Sequence, residues 1–276
     1  MDGNNMKFSV LMSIYHKESP QYFDRAMLSV WDEQAIKPNE IVLVEDGVLT
    51  DELYQSIEKW REKLNCILKV VSLKRNSGLG NALNIGLEHC SFDLVARMDT
   101  DDISLPNRFK KQLEVFKNNS VDVCGSWVGE FNDNESQIVS YRRVPEQHGA
   151  IVKFAKSRSP VNHVAAMYKK KSVSSIGNYE TQRLTEDYNL WVKLILGGAK
   201  FYNIQEPLVN VRVGNGQVER RGGLSNAILE ATVQKEFYKI GFLNLYELFR
   251  NVIIGFAIRL LPKTLLKIVF KMIRKL

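Results

Sequence analysis

Residues 92–102 of this 276-residue chain are Phe92-Asp-Leu-Val-Ala-Arg-Met98 followed at once by Asp99-Thr-Asp-Asp102. The first seven are mostly apolar and have the length of a buried β-strand, and three carboxylates follow within four positions. Carboxylates this close repel one another unless a cation or hydrogen-bond donors compensate them. Oxygen-rich sites of this kind suit Mg²⁺ or Mn²⁺. The alternative is an acidic loop in which Asp102 caps the next helix, and the stretch alone does not decide between the two.

Strand and helix patterns alternate on the N-terminal side of this stretch. Apolar runs predict strands at residues 8–14, 40–44 and 67–73, and helical periodicity predicts helices at residues 20–34, 51–64 and 80–90. This alternation is typical of an α/β layer fold. The second strand also ends in carboxylates, at Glu45-Asp46-Gly47. Because open α/β sheets bind ligands at the carboxyl ends of their strands, both acidic segments are candidate site residues.

The pattern on the C-terminal side is less regular. It predicts a helix at residues 106–117, a strand at 121–125 and a helix at 186–197. Glycines and arginines interrupt it at residues 214–223, where we place a boundary before a helical C-terminus.

Composition and charge exclude several classes of protein. Apolar residues make up 45% of the chain and charged residues 25%, which allows a substantial core and argues against disorder. The net charge is +7, but seven of the 38 basic residues and none of the 31 acidic residues lie in residues 250–276. The rest of the chain is therefore electrically balanced, which argues against a nucleic-acid-binding protein.

Targeting signals are absent from the sequence pattern. No apolar run approaches the roughly 18–20 residues of a membrane-spanning helix, and the polar N-terminus does not match a signal peptide. The three cysteines are widely spaced and fit a reducing cytosol. We expect a cytoplasmic protein.

A glycine-rich segment runs from Asn76 to Gly86 with the sequence Asn-Ser-Gly-Leu-Gly-Asn-Ala-Leu-Asn-Ile-Gly. It fails the dinucleotide-binding fingerprint because Leu83 takes the place of the third glycine. No GxxxxGK[ST] loop occurs elsewhere, so nucleotide dehydrogenases and P-loop enzymes are disfavoured. A glycine turn before a helix can still bind a phosphate or a ribose through backbone N–H groups.

A second acidic pair, Glu186-Asp187, follows Thr185 at a predicted helix start. One interpretation is an N-cap with first-turn carboxylates that the helix dipole favours. The other is a general base beside a substrate pocket, with Trp191 as an aromatic wall. Spacing alone favours the cap.

Taken together over residues 6–220, these motifs resemble glycosyltransferase family 2, the inverting GT-A enzymes that use nucleotide sugars. The resemblance includes Ser13-Ile-Tyr15 with Glu18, the Glu-Asp-Gly strand end, the Asn76–Gly86 pattern, the Asp-x-Asp-Asp signature and the Thr-Glu-Asp triplet. Further matches, among them Asn162-His163 and Arg220-Arg-Gly-Gly223, narrow it to bacterial polysaccharide enzymes of amylovoran, O-antigen and capsule synthesis.

The resemblance implies a GT-A fold, a mostly parallel Rossmann-like sheet flanked by helices, in residues 1–220, with a nucleotide-binding half at 6–102 and an acceptor-binding half at 103–220. It implies that Asp99 and Asp101 bind Mn²⁺ or Mg²⁺, that Asp187 is the catalytic base and that Glu186 orients the acceptor. The implied nucleotide-sugar-binding residues are Ser13, Tyr15, Glu18, Asp46, Asn76, Gly78, Arg97 and Asp99, of which Tyr15 and Asp46 hold the uracil.

The chain departs from the family pattern at two positions. Many members carry Arg where this chain has Leu83, so Arg97 is a candidate replacement at the nucleotide. Many also carry His where this chain has Gly214, and Arg220 and Arg221 are candidate phosphate ligands instead; the alternative is a solvated basic turn. His163 is a candidate contact to an acceptor phosphate, although a lone histidine is more often structural.

The function implied by the resemblance is transfer of a hexose, glucose or galactose, from a UDP-sugar to an undecaprenyl-diphosphate-linked saccharide. Two alternatives remain open. A nucleotidyltransferase also couples an acidic metal site to an α/β sheet, but it leaves the Thr-Glu-Asp triplet unexplained. A non-catalytic sugar-nucleotide-binding protein leaves the carboxylates unexplained.

The C-terminal segment, residues 221–276, is predicted to be a basic helical appendage. Apolar residues from Phe249 to Leu261 recur at helical spacing, and after Pro262 a stripe of Lys263, Lys267 and Lys271 follows. This pattern is typical of a helix in the plane of an anionic membrane, and the alternative is a helix packed on the body with its lysines outward. We expect peripheral attachment to the cytoplasmic face of the inner membrane.

Overall fold

The computed structural model describes residues 6–180, 185–213 and 222–262, together with residues 265, 266 and 269. Arg220 and Arg221, the candidate phosphate ligands, lie outside the described residues, as do Gly214 and the lysines of the C-terminal stripe.

The first half of the chain forms four parallel strands. Their order is β3-β2-β1-β4, with β1 at Phe8–Ile14, β2 at Glu40–Glu45, β3 at Leu68–Ser72 and β4 at Leu94–Asp99. The intervening helices are α1 (Pro20–Val30), α2 (Asp51–Leu64) and α3 (Leu79–His89). All six residues of β2 are buried, as the continuous apolar runs of parallel strands require. The predicted order of strands and helices is confirmed.

The predicted end of the first helix shifts. Helix α1 ends at Val30 rather than at residue 34, because Trp31 leaves the helical conformation with φ −120°. Gln34 then donates from its side chain to the backbone carbonyl of Ser29 at 2.6 Å, which holds a turn where a further helical turn was predicted.

The second half extends the same sheet with antiparallel pairs. It contains β5 (Ile103–Ser104), α4 (Arg108–Asn118), β6 (Val123–Phe131), β7 (Ile138–Arg142), α5 (His148–Ala155), β8 (Met167–Lys169), α6 (Lys170–Ser175), α7 (Glu186–Leu196) and β9 (Phe201–Arg212). Strand β8 runs antiparallel between β4 and β6, whereas β6 and β9 are parallel. The sheet is therefore parallel in its nucleotide half and mixed beyond β4, with helices on both faces.

Two apolar clusters cover the faces of the sheet. One packs α1, α2 and α4 through Phe23, Trp60 and Phe109. The other packs α3 and α7 through Leu83 and Trp191. Leu83 is therefore a core residue, consistent with the absence of an arginine there.

Two further helices, α8 (Leu224–Lys239) and α9 (Leu245–Arg259), close the described chain. Helix α8 packs on α5 and α7 in a third apolar cluster that contains Phe237, Val233 and Val192. The helical C-terminus predicted from the sequence is present as far as the structure describes it. Among the described residues, no helix combines the length and the apolar character that crossing a membrane requires.

Candidate active site

The site lies where β1, β2 and β4 end. Ser13 of β1 pairs with Val44 of β2 on one side and with Asp99 of β4 on the other, so the acidic strand end and the start of the β1–α1 loop are neighbours. The hydroxyl of Thr100 donates to the carboxylate of Glu18 at 2.7 Å. The sheet thus brings together Ser13, Glu18 and the aspartates, as predicted from their positions at strand ends.

The three aspartates form one cluster. Ligand oxygens of Asp99, Asp101 and Asp102 lie within 4.8 Å of one another. Burial, followed by the charges of Asp99 and Glu18, raises the pKa of Asp101 to about 7. A divalent cation bound by these carboxylate oxygens would offset the repulsion between their charges. The three carboxylates are therefore a suitable set of ligands for Mg²⁺ or Mn²⁺.

Asp102 has a separate structural role. It is 2% exposed, and its Oδ1 accepts a hydrogen bond from the backbone N–H of Arg212 at 2.8 Å. Helix α4 starts at Arg108, and its N-cap is Asn107, five residues after Asp102. The interpretation of Asp102 as a helix cap is therefore wrong, and Asp102 instead fastens the acidic turn to β9.

The loop before α3 is held by Asp46. One carboxylate oxygen of Asp46 accepts from the N–H of Ser77 at 2.7 Å, and the other accepts from the N–H of Gly78 at 3.0 Å. Gly47 allows the close approach, since a Cβ there would lie 2.6 Å from the backbone nitrogen of Asn76. Both oxygens that were expected to meet the uracil are thus engaged by the glycine loop, and Asp46 shapes the nucleotide side rather than presenting a free carboxylate.

Tyr15 is the exposed aromatic residue at the end of β1. Its side chain is 43% exposed and its ring meets that of His16 edge-on, with the centroids 5.7 Å apart. An exposed ring beside the acidic strand end can pack against a planar base. The geometry is compatible with the predicted contact to the uracil.

Arg97 joins the two groups of carboxylates. Its side chain is 3% exposed and forms an ion pair with Asp99. Burial raises the pKa of Asp187 and of Glu186, and the positive charge of Arg97 opposes both shifts as it opposes that of Asp101. The charge of one buried guanidinium therefore acts on both the aspartate cluster and the Glu186–Asp187 pair. Within the described ranges, its Nε and Nη1 have no hydrogen-bond partner.

Helix α7 begins at Glu186 and carries the acidic pair in its first turn. Thr185 makes no side-chain capping bond, so the hydrogen-bonded cap that spacing favoured is not formed, although both carboxylates do lie in the first turn. Asp187 is half-buried and its Oδ2 accepts from the hydroxyl of Ser159 at 3.2 Å. A carboxylate with a raised pKa is a stronger base than one in water.

His163 and Trp191 lie behind this surface. Trp191 is 0% exposed, so it is a core residue that supports the site and not the predicted pocket wall. The Nε2 atom of His163 lies 3.0 Å from the hydroxyl of Tyr179. Burial and then the charge of Arg97 lower the pKa of His163 well below its usual range, so the imidazole is neutral and does not attract a phosphate by charge.

Arg108 and Arg212 belong to the site's framework and were not identified from the sequence. Arg108 is fully buried and donates to the backbone carbonyl of Arg97 at 2.6 Å. The guanidinium of Arg212 stacks on the ring of Tyr22, 3.8 Å from its centroid. The contact of Arg212 with Tyr22 joins segments far apart in the chain, and neither contact is marked by a local pattern.

The rate of the reaction that this site performs is expected to fall as the pH is lowered through the pKa of Asp187. Burial raises that pKa above the usual 3.8, and only the deprotonated carboxylate can accept a proton. A profile of kcat/KM against pH checks this. A rate that stays constant down to about pH 4, or that rises on acidification, contradicts it.

A mixed α/β sheet with an aspartate cluster at the end of its fourth strand is the arrangement expected of a GT-A glycosyltransferase. The sequence model of "Glycosyl transferase family 2" matches residues 9–177, and the chain belongs to that family.

Curated relatives extend over nearly the whole chain. A UDP-Gal:alpha-D-GlcNAc-diphosphoundecaprenol beta-1,3-galactosyltransferase of Escherichia coli is 39% identical over 98% of this chain and 98% of its own. The amylovoran biosynthesis glycosyltransferase AmsE of Erwinia amylovora is 35% identical over 97% of this chain and 99% of its own. The expected relationship to bacterial polysaccharide enzymes is confirmed.

A solved structure supports the fold. The structure of S. aureus TarS 1–349 with UDP-GlcNAc superimposes with a TM-score of 0.64 at 21% identity, over 84% of this chain and 66% of that one. At this identity the likeness concerns the fold alone.

Proposed function

We propose that this glycosyltransferase moves a hexose from a UDP-sugar to a saccharide linked to a polyprenyl diphosphate, with inversion at the anomeric carbon and with a divalent cation. The observation that carries the proposal is that the buried Arg97, which is paired with Asp99, acts by its charge on Asp101 and on the Glu186–Asp187 pair alike. One cleft can then hold a diphosphate at one side and an acceptor hydroxyl at the other. The E. coli relative's name favours galactose as the hexose and undecaprenol as the lipid.

Asp99 and Asp101 would hold Mn²⁺ or Mg²⁺, since Asp102 is buried and committed to the backbone of Arg212. When bound, the cation neutralises the charge that develops on the departing UDP. The ion pair from Arg97 fixes the orientation of the Asp99 carboxylate. Its Nε and Nη1 are buried and have no hydrogen-bond partner within the described ranges, so Arg97 would act on the bound diphosphate through its positive charge.

The donor's nucleoside would lie along the ends of β1 and β2. Tyr15 packs on the uracil, and the backbone of the Asn76–Gly78 loop, which Asp46 holds in place, donates to the ribose or to phosphate. Ser13 and Glu18 line the path from the base to the aspartates. The nucleotide and metal sites are thereby continuous.

Asp187 would remove the proton from the acceptor hydroxyl. The hydroxyl oxygen then forms a bond to the anomeric carbon while the bond from that carbon to the UDP oxygen breaks, and the proton stays on Asp187 until it passes to solvent. Attack opposite the leaving group inverts the configuration. Glu186, next to Asp187 with a buried Oε2 that lacks a partner among the described residues, orients the acceptor.

The test is a donor screen with a synthetic polyprenyl-diphosphate–GlcNAc acceptor, followed by NMR of the new glycosidic bond. UDP release that requires both acceptor and metal, with a β-linked product from an α-linked donor, supports the proposal. Release of pyrophosphate identifies a nucleotidyltransferase, and binding without turnover identifies a non-catalytic protein. Either outcome, or retention of configuration, overturns the proposal.

The acceptor's lipid places the reaction at the cytoplasmic face of the inner membrane, and the basic C-terminal segment supplies electrostatic attraction to anionic lipids. Each basic residue near such a surface contributes about 1 kcal/mol. Replacing Lys263, Lys267 and Lys271 by Gln is therefore expected to weaken binding to anionic vesicles about 100-fold in a sedimentation assay.

The matched control for the tail replaces three exposed lysines of the body, Lys110, Lys117 and Lys171, by Gln. It removes the same charge and is expected to change binding only slightly. If both triple variants lose vesicle binding to the same extent, the C-terminal segment has no specific role in membrane binding.

A further inference from the structure

Helix α9 exposes large apolar side chains along one face, and the residues that it buries are an asparagine and a glycine. Of its 15 residues, the two that are buried are Asn251 and Gly255. Tyr246 is 74% exposed, Phe249 58% and Ile253 66%. These three are spaced by three and four residues and so share one face. A surface helix ordinarily shows the reverse arrangement, with its apolar stripe packed on the core.

Polar contacts fix α9 in this orientation. The side-chain amide of Asn251 donates to the carbonyl of Lys156 at 2.6 Å and to the side chain of Gln234 at 2.7 Å. Arg259 at the end of α9 forms an ion pair with Glu230 of α8. Rotating the apolar face inward would break these bonds and leave buried polar groups unpaired, which is costly. The exposed face is therefore a stable property of the fold.

Helix α8 extends the same apolar surface. Leu224 and Ile228 are 57% and 52% exposed, and they lie at the end of α8 where the N–H of Gly223 donates to the carbonyl of Arg259 at 2.8 Å. Leu260, 56% exposed, follows directly. Single exposed apolar residues are ordinary on a protein surface, but a contiguous set marks a surface that another body covers.

We propose that this face, formed by Leu224, Ile228, Tyr246, Phe249, Ile253 and Leu260, inserts into the interfacial layer of an anionic phospholipid membrane with α9 in the membrane plane. The inference rests on the proposed function in one respect: an acceptor anchored in the membrane by its lipid makes membrane binding useful for the reaction. It adds apolar insertion by a folded helix to the electrostatic attraction of the tail.

The basic charge of the C-terminal segment and the length of α9 both indicate that a lipid surface covers the exposed apolar face. From residue 250 onward the chain carries seven basic residues and no acid, which complements anionic headgroups. The 15 residues of α9 span about 22 Å, short of the ~30 Å apolar core that a crossing helix must traverse. A second copy of the chain is disfavoured, because symmetric pairing on this face would bring two such basic tails together.

The test uses the full-length chain and vesicles of phosphatidylglycerol and phosphatidylethanolamine. The double variant Phe249→Ser/Ile253→Ser is expected to partition at least about 30-fold more weakly than the wild type, because it loses two large apolar side chains from the inserted face. Its thermal stability is expected to be unchanged, because both side chains are exposed. The control Val139→Ser alters a residue that is 55% exposed on β7 and is expected to bind like the wild type.

A second measurement reports insertion directly. Tryptophan at Phe249→Trp is expected to be quenched by brominated lipids, and tryptophan at Val139→Trp is not. Undiminished partitioning of the double variant, or no quenching at position 249, overturns the inference. The inference is also overturned if the wild type is a dimer, the double variant is a monomer and both bind vesicles equally. A second copy of the chain would then cover the face. None of these readouts requires turnover, so failure of the proposed reaction is detected separately in the donor screen.

Discussion

The variant Asp187→Asn is expected to lower kcat at least about 100-fold while the Kd for the UDP-sugar stays within about twofold of the wild type. The asparagine amide can still hydrogen-bond to Ser159, as the carboxylate does at 3.2 Å, so the local structure is kept. What is lost is the ability to accept a proton. UDP release measured with acceptor present gives kcat, and calorimetry without acceptor gives the Kd.

The matched control is Asp133→Asn, which removes a carboxylate from the exposed β6–β7 loop. It is expected to retain wild-type kcat and Kd. Retained turnover in Asp187→Asn would show that another group is the base. Loss of donor binding with little further loss of kcat would place Asp187 on the nucleotide side instead.

The variant Asp101→Asn is expected to abolish the stimulation of transfer by Mn²⁺ or Mg²⁺ and to weaken Mn²⁺ binding at least about tenfold. The substitution removes one of the two carboxylates that we assign to the cation, since Asp102 is committed to the backbone of Arg212. Metal titration by calorimetry and by activity checks both effects.

Asp101→Asn is also expected to raise the thermal stability of the metal-free protein. Three carboxylates lie within 4.8 Å, and burial and like charge raise the pKa of Asp101 to about 7. In the unfolded chain Asp101 ionises near its ordinary pKa of 3.8. Above about pH 7 the folded protein must also carry the charged carboxylate in its unfavourable site, which lowers the free energy of unfolding. A melting temperature at pH 8 that falls on this substitution, or metal stimulation that persists, contradicts the assigned role. Asp133→Asn again serves as the control.

The sequence was sufficient for the first half of the fold because β1, β2 and β4 are buried on both faces. Parallel strands such as β2 then appear as unbroken apolar runs with helices between them. Strand β9 was not predicted, because it alternates with polar residues and contains Pro207. Strand β5 has only two residues. Strand β9 forms because β6 offers it a partner, and β5 forms because β9 does, which is tertiary information.

The candidate site likewise has parts that local sequence patterns predict and parts that depend on tertiary contacts. The aspartates and the acidic pair of α7 were found because each follows a local pattern. Their mutual arrangement around Arg97, the engagement of Asp46 by the glycine loop and the burial of Trp191 depend on contacts between distant segments. The apolar periodicity of α9 was visible as well, but which of its faces meets the protein is decided by Asn251.

The central claim is that the Asp99–Asp102 cluster and Asp187 serve one cleft. Crystals of the full chain with Mn²⁺ and UDP, measured at the manganese absorption edge, test it most directly. The account predicts an anomalous peak about 2.1 Å from carboxylate oxygens of Asp99 and Asp101, with the diphosphate beside it and the Asp187 carboxylate facing the vacant sugar position. A peak bound by other residues, or an Asp187 carboxylate turned away from the diphosphate, would contradict it.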